Sequence, residues 1–186
     1  MAGKLEIINV ALGRIGANDI ISLDEGTTEQ KLAIAFYETS RKALLREHTW
    51  NFAVADVELA RLASYTPFQF AYTYQLPADC LRLIEVYDCI DYRRQGSTVL
   101  SDETSCKVRY VKDVEDSSQW DASFTDVFSY RLAADMAYPL TKSQSVADSL
   151  TLLYGQKLKV ARHIDATEDV LNTMGGQYSS IIAVRF

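Results

Sequence analysis

The hydrophobic period of this chain changes twice, and those changes constrain its fold more than any single motif. From residue 4 to about 49, and again from about 122 to 164, apolar side chains recur every three or four positions. That is the spacing of one helical face. Between them, from about 51 to 120, composition and partial alternation are those of β-strands.

Leu5, Ile8, Leu12 and Ile15 predict a first helix over about 4–17, ended by Gly16 and the run Ala17-Asn18-Asp19. Thr27 with Gln30 three residues on makes a capping-box pattern, in which each side chain satisfies the other's free backbone N–H. A second helix is expected over about 27–49, with Leu32, Phe36, Ala43 and Leu44 as its buried stripe. Trp50, Phe52 and Val54 follow with period two, so the chain turns extended there. Strands are expected at Tyr72–Gln75, stopped by Pro77, at Leu81–Tyr87 and at Cys106–Val111, with a weaker one at Ser97–Leu100. Their connections are too short for helical crossovers, so the pairing should be mostly antiparallel.

Phe124, Val127, Phe128, Leu132 and Met136 predict a third helix over about 122–141, capped by Asp121 or Ser123 and kinked or ended by Pro139. Val146, Leu150, Leu153, Val160 and Ile164 predict a fourth over about 145–164. After it, Gly175-Gly176 supplies a joint and Ile181, Ile182, Val184 and Phe186 an apolar end. Residues 166–186 therefore read as an extended arm, packed on its own domain or docked on another subunit or partner. The expected architecture is α+β: an antiparallel four-helix bundle with a small, mostly antiparallel sheet inserted between helices 2 and 3, as one domain over 1–165, plus the arm.

Charge and composition narrow the function. The 186 residues carry a net charge of −6, with a sequence pI near 4.9. General nucleic-acid binding draws its affinity from neutralised phosphates and is disfavoured. The acidity is concentrated: residues 51–121 hold seven basic and twelve acidic side chains, whereas 122–163 hold five and three. A solvated face accounts for this, and an acidic wall beside passing DNA would also avoid sticking to phosphate. No apolar run is long enough to span a bilayer, and the first residues lack the apolar stretch of a signal peptide, so synthesis in a cytoplasm is expected. Cys80, Cys89 and Cys106 have no CxxC spacing and read as small, partly buried apolar residues.

No catalytic pattern emerges. His48 and His163 sit where helices are expected to end, a site that favours imidazolium. GxSxG, HExxH, Walker and GxGxxG motifs are absent. Gly13-Arg14-Ile15-Gly16 matches a GxxG loop by letters, yet Ile15 belongs to a core stripe. Asp102-Glu103 and Glu115-Asp116 lie in polar turns. No catalytic residue, metal or cofactor is expected. Tyrosine is in excess, at 11 residues, and Tyr65, Tyr72, Tyr74, Tyr87, Tyr92 and Tyr110 fall in the strand region. Tyrosine suits surfaces buried against a partner. Tyr72, Tyr74 and Tyr92, with Arg93 and Arg94, are therefore candidate interface residues.

Three runs, taken in order with these elements, resemble the tail tubular protein A family, the head-to-tail adaptors of short-tailed bacteriophages. They are the helix-ending Trp50-Asn51-Phe52, the strand entry Tyr74-Gln75-Leu76-Pro77-Ala78-Asp79-Cys80-Leu81-Arg82, and Ala137-Tyr138-Pro139-Leu140-Thr141. The resemblance extends to about Ile164. It implies a structural virion protein without catalytic residues or cofactor, forming a ring, usually dodecameric, beneath the portal protein. The ring would join the portal to the tail nozzle (tubular) protein and continue the DNA exit channel without specific DNA binding or contact with a membrane. The free chain can be a monomer. The implied location is the tail neck of the virion, after synthesis in the host bacterial cytoplasm. The arm residues Tyr178, Ile181, Ile182, Val184, Arg185 and Phe186 would then meet the portal, and Tyr72, Tyr74, Tyr92, Arg93 and Arg94 a neighbouring subunit or the tail. Two alternatives stand beside it: a small cytoplasmic enzyme of unrecognised chemistry, and a prophage assembly protein other than an adaptor.

Overall fold

A computed structural model describes residues 3–63 and 68–182, the last of these, from 169, as backbone only. The order along the chain is α1 (Lys4–Ile15), α2 (Thr28–Glu47), β1 (Val54–Glu58), β2 (Ala60–Arg61), β3 (Tyr72–Gln75), β4 (Cys80–Tyr87), β5 (Tyr92–Gln95), β6 (Thr98–Ser101), β7 (Lys107–Lys112), α3 (Ala122–Thr141) and α4 (Gln144–Ile182). These form two compact units. The helical unit holds the chain up to Leu44, Trp50–Phe52, and the chain from Val114 onward; the sheet unit holds Leu45–Thr49 and Ala53–Asp113.

In the helical unit, local chemistry sets the helix ends. Gly16 closes α1 at φ 80°, a left-handed conformation that its missing Cβ makes inexpensive. The Asn9 side chain then clamps the following loop, donating to the Ile20 carbonyl (2.9 Å) and accepting from its N–H (3.0 Å). Half of the expected capping box forms at α2: Thr27 Oγ1 accepts from the Gln30 N–H at 3.2 Å. The Gln30 side chain donates instead to the Leu23 carbonyl at 2.7 Å. Asp121 caps α3 by accepting from the Ser123 N–H at 2.8 Å. Pro139 neither ends nor precedes the end of that helix immediately; α3 runs two residues further, to Thr141.

The expected four-helix bundle does not form. The close backbone packing is of α3 against α4 and of α1 against α3. Small residues on the facing surfaces, Ala133 and Ala137 of α3 with Ala147 and Ala161 of α4, are all buried. α2 meets α3 through long side chains: the Tyr37 ring lies 5.1 Å from that of Phe128, edge to face, and Ser40 donates to the Asp135 carboxylate. Bulky rings at that contact replace the interlocking of small and medium side chains that a bundle requires. The buried face of α2 is also turned by one residue from expectation. Ala33, Tyr37, Ser40, Arg41 and Leu44 are buried, while Leu32, Phe36 and Ala43 are half-buried. Around Phe124 an aromatic cluster fills the interior, drawn from Trp50, Phe52, Trp120 and Phe128.

The sheet unit lies between α2 and α3 in the chain and contains two antiparallel sheets where one was expected. β1, β7 and β4 make one, in the order β1-β7-β4; the other runs β2-β3-β6-β5. The chain passes repeatedly from one to the other. Leu59, between β1 and β2, is one such crossing, and its N–H donates to the Cys106 carbonyl at 2.8 Å. Pro77 lies in another, between β3 and β4, and Asp88 in a third, at φ 61°. Their shared core contains Leu59, Tyr74, Leu76, Val99, Cys106, Val108 and Tyr110. Each sheet thus buries one face on the other, which a single small sheet could not do. On the outer side, cross-strand partners Asp56 and Arg109 form a two-pronged ion pair at 2.9 and 3.0 Å. Both are exposed, so solvent screening leaves the pair little weight in stability.

The fourth helix is longer than expected. Its backbone stays helical from Gln144 to Ile182, past the expected end near 165 and through Gly175-Gly176. Glycine weakens a helix by about 1 kcal/mol per residue relative to alanine without forbidding it.

Candidate functional site

The helical unit has an apolar groove of about 410 Å³, lined by Ile7 and Val10 of α1, Ser117, Trp120, and Ala122, Thr125, Asp126 and Ser129 of α3. Its one carboxylate is already engaged. Arg14 reaches Asp126 at 2.6 Å and Lys157 reaches it at 3.2 Å. The Arg14 guanidinium also lies over the Tyr130 ring, 3.4 Å from its centre. One knot therefore joins α1, α3 and α4. Burial pushes the Asp126 carboxyl up, but the hydrogen bonds and charges of Arg14 and Lys157 together outweigh this and hold it below its ordinary value. Such a group stays ionised and paired, and it is a poor general acid or base near neutrality.

The sign of its pH effect follows. A carboxyl with a lowered pKa in the folded state stabilises the fold above its unfolded value, about 3.9, and loses that contribution as pH falls through the folded value. Asp126→Asn is expected to cost about 1 kcal/mol at pH 7, the pair being partly exposed. In urea titrations the difference should shrink as pH falls below about 3.9 and vanish once pH has passed below the lowered folded value. A constant difference across that range would refute the assignment.

The second feature is the outward face of α4. Its inward face contains Ala147, Leu150, Leu158, Ala161 and Asp165, all buried. Asp165 ties this face to the segment Trp50–Phe52: its carboxylate accepts from the Asn51 N–H at 3.0 Å, and its carbonyl from the Asn51 side chain at 2.9 Å. Leu153, Val160 and Ile164, expected in the buried stripe, are instead exposed, with Val160 58% accessible; Leu152 beside them is 65% accessible. Both sets satisfy three-and-four spacing. The alanine-bearing one wins the interior because it permits close approach to α3. The signal for a second apolar face was in the sequence as an excess of apolar positions on this helix.

The structure separates the candidate interface residues. Tyr74 is a core residue, 1% accessible, with its hydroxyl donating to the Glu103 carbonyl, so it cannot also face a partner. Tyr72 is half-buried next to that core, under the Arg61 guanidinium. Tyr92, Arg93 and Arg94 lie together on β5, exposed along its whole length. Tyr65 lies outside the described residues. So do Val184, Arg185 and Phe186; Tyr178, Ile181 and Ile182 fall on the backbone-only part of α4.

Burial raises the Tyr110 hydroxyl to about 12, and it donates to Asp79 at 3.3 Å. Burial likewise raises Tyr37 to about 12. Neither is poised for proton transfer near neutrality. Among the described residues, no group of three or more His, Cys, Asp or Glu could hold a metal ion, and no helix is long and apolar enough to cross a membrane. No protein-family model matches the chain, and no curated protein shows significant similarity to it.

Proposed function

We propose that this protein is a structural component of a bacteriophage particle, a head-to-tail adaptor that assembles as a ring under the portal protein and joins it to the tail nozzle. The observation that supports this best is the exposed apolar face of α4, Leu152, Leu153, Val160 and Ile164. A helix with its inner stripe satisfied and a second apolar stripe exposed is suited to packing on another chain. The order of sequence runs that resembles the adaptor family points the same way. Portal contact is assigned to the end of the chain, Tyr178, Ile181, Ile182, Val184, Arg185 and Phe186, and β5 with Tyr92, Arg93 and Arg94 to a neighbouring subunit or the tail.

Sedimentation velocity on the chain alone, and mixed with portal rings from the same genome, tests this reading. The expected result is a small species that moves into the portal peak on mixing, and fails to do so when Gly175 onward is deleted. Absence of co-sedimentation, at salt concentrations where both components are soluble, would overturn it.

A further inference from the structure

Two of the three cysteines meet in the sheet unit. Cys106 immediately precedes β7 and is fully buried in the core between the sheets; Cys89 follows β4 and is half-buried against the same core. The antiparallel register of β4 on β7 ends at Tyr87 opposite Lys107. Asp88, just past the end of β4, adopts φ 61° where the chain turns towards β5. Cys89, two residues beyond Tyr87, and Cys106, one residue before Lys107, therefore leave the same end of the β4–β7 ladder. The side chains agree with that placement. The Cys89 thiol donates to the carbonyl of Ser105, the residue before Cys106, at 3.9 Å, and Cys89 packs against the core that contains Cys106.

The last paired residues of the ladder, Tyr87 and Lys107, have Cα atoms about 4.5–5.5 Å apart, and the two cysteines lie within two residues of that pair. A disulfide needs about 4.4–6.8 Å, so the backbone would not have to move far. We infer that Cys89 and Cys106 form a dithiol site that a peroxide converts to an intramolecular disulfide. Cys89 is the member open to solvent. Its sulfur attacks the peroxide O–O bond, giving a sulfenic acid and one water. The Cys106 sulfur then attacks the Cys89 sulfur; the S–S bond forms, the S–O bond breaks, and hydroxide leaves as water with the Cys106 proton. In sum, two thiols are oxidised, one peroxide is reduced, and two waters form. Cys106 alone is a reluctant nucleophile, because burial, and then the neighbouring Cys89 charge, push its thiol up to about 12. The contribution of that charge disappears once Cys89 is oxidised. The product would tie the exposed β5–β6 hairpin, with Tyr92, Arg93 and Arg94, to the start of β7. This inference stands apart from the adaptor reading and does not depend on it.

The test treats the folded full-length chain with hydrogen peroxide, then alkylates free thiols under denaturing conditions and maps peptides by mass. Two of the three alkylatable thiols should be lost, in a Cys89–Cys106 linked peptide lighter by two hydrogens, with Cys80 alkylated and both thiols restored by dithiothreitol. Cys89→Ser should leave Cys106 alkylatable; this variant spares the core, where Cys106→Ser could prevent folding. Sulfinic or sulfonic acid at Cys89 with Cys106 still alkylatable would overturn the proposal. A link that includes Cys80, or a link between chains, would do the same.

Discussion

Phe124→Ala is expected to lower the melting temperature of the helical unit by roughly 10 °C. Phe124 is fully buried. Its ring sits 5.1 Å from Trp50, 5.0 Å from Phe52 and 5.1 Å from Trp120, in each case edge to face, and 6.3 Å from Phe128 in parallel. Deleting a buried phenyl ring costs about 3–5 kcal/mol, because the transfer free energy is lost and the cavity only partly collapses. Collapse is hard here. Trp50 and Trp120 are each anchored, donating from Nε1 to the Leu44 carbonyl at 3.1 Å and to the Val114 carbonyl at 2.9 Å. Moving either indole into the gap would break a buried hydrogen bond. Domains of this size hold only about 5–15 kcal/mol in total. Ile21→Ala, at a site 89% accessible, should change stability by less than about 0.5 kcal/mol. Urea and thermal unfolding of both variants would decide; a Phe124→Ala cost within about 1 kcal/mol of that control would remove the cluster from its central place.

The second large effect is on assembly. Val160→Glu combined with Ile164→Glu is expected to weaken association with portal rings by roughly 100-fold or more while leaving the fold intact. Both side chains are exposed, so the isolated chain loses little by the exchange. In an interface they would bury two carboxylates against an apolar partner, an expensive desolvation without a paired charge. Leu150→Glu, ten and fourteen residues from the same positions yet buried in the helical unit, should instead unfold that unit. Circular dichroism separates the two cases, and sedimentation with portal rings reads the association. Undiminished assembly by the double variant would show that this face is not the contact.

What could be read in advance follows a physical division. Helix and strand identity depends on local spacing and on caps, so α1, α2 and α3 lie within a few residues of expectation, as do the strands at 72–75, 80–87, 98–101 and 107–112. The short β2 and the fully exposed β5 carried no such signal. β5 is Tyr-Arg-Arg-Gln, polar on both faces, and exists because β6 pairs with it. Among the candidate site residues, Tyr92, Arg93 and Arg94 are exposed as an interface requires, whereas Tyr74 is buried. Composition alone could not separate them, since a tyrosine suits both a core with one satisfied hydroxyl and a partner-facing surface.

The sequence by itself determined the main helical and extended segments as far as about residue 165, and that each has an apolar face to bury; it read 166–182 as an extended arm where the backbone stays helical. Only the tertiary structure decided what those faces bury against. Periodicity is a property of one element, so it cannot say that α2 meets α3 through Tyr37 and Ser40, or that strands expected in one sheet divide into two. It cannot choose between two stripes on α4 that obey the same spacing; contact with the alanines of α3 does that. Nor can it bring Cys89 to Cys106, seventeen residues apart. That meeting depends on the register of β4 on β7, which exists only once the two strands have paired.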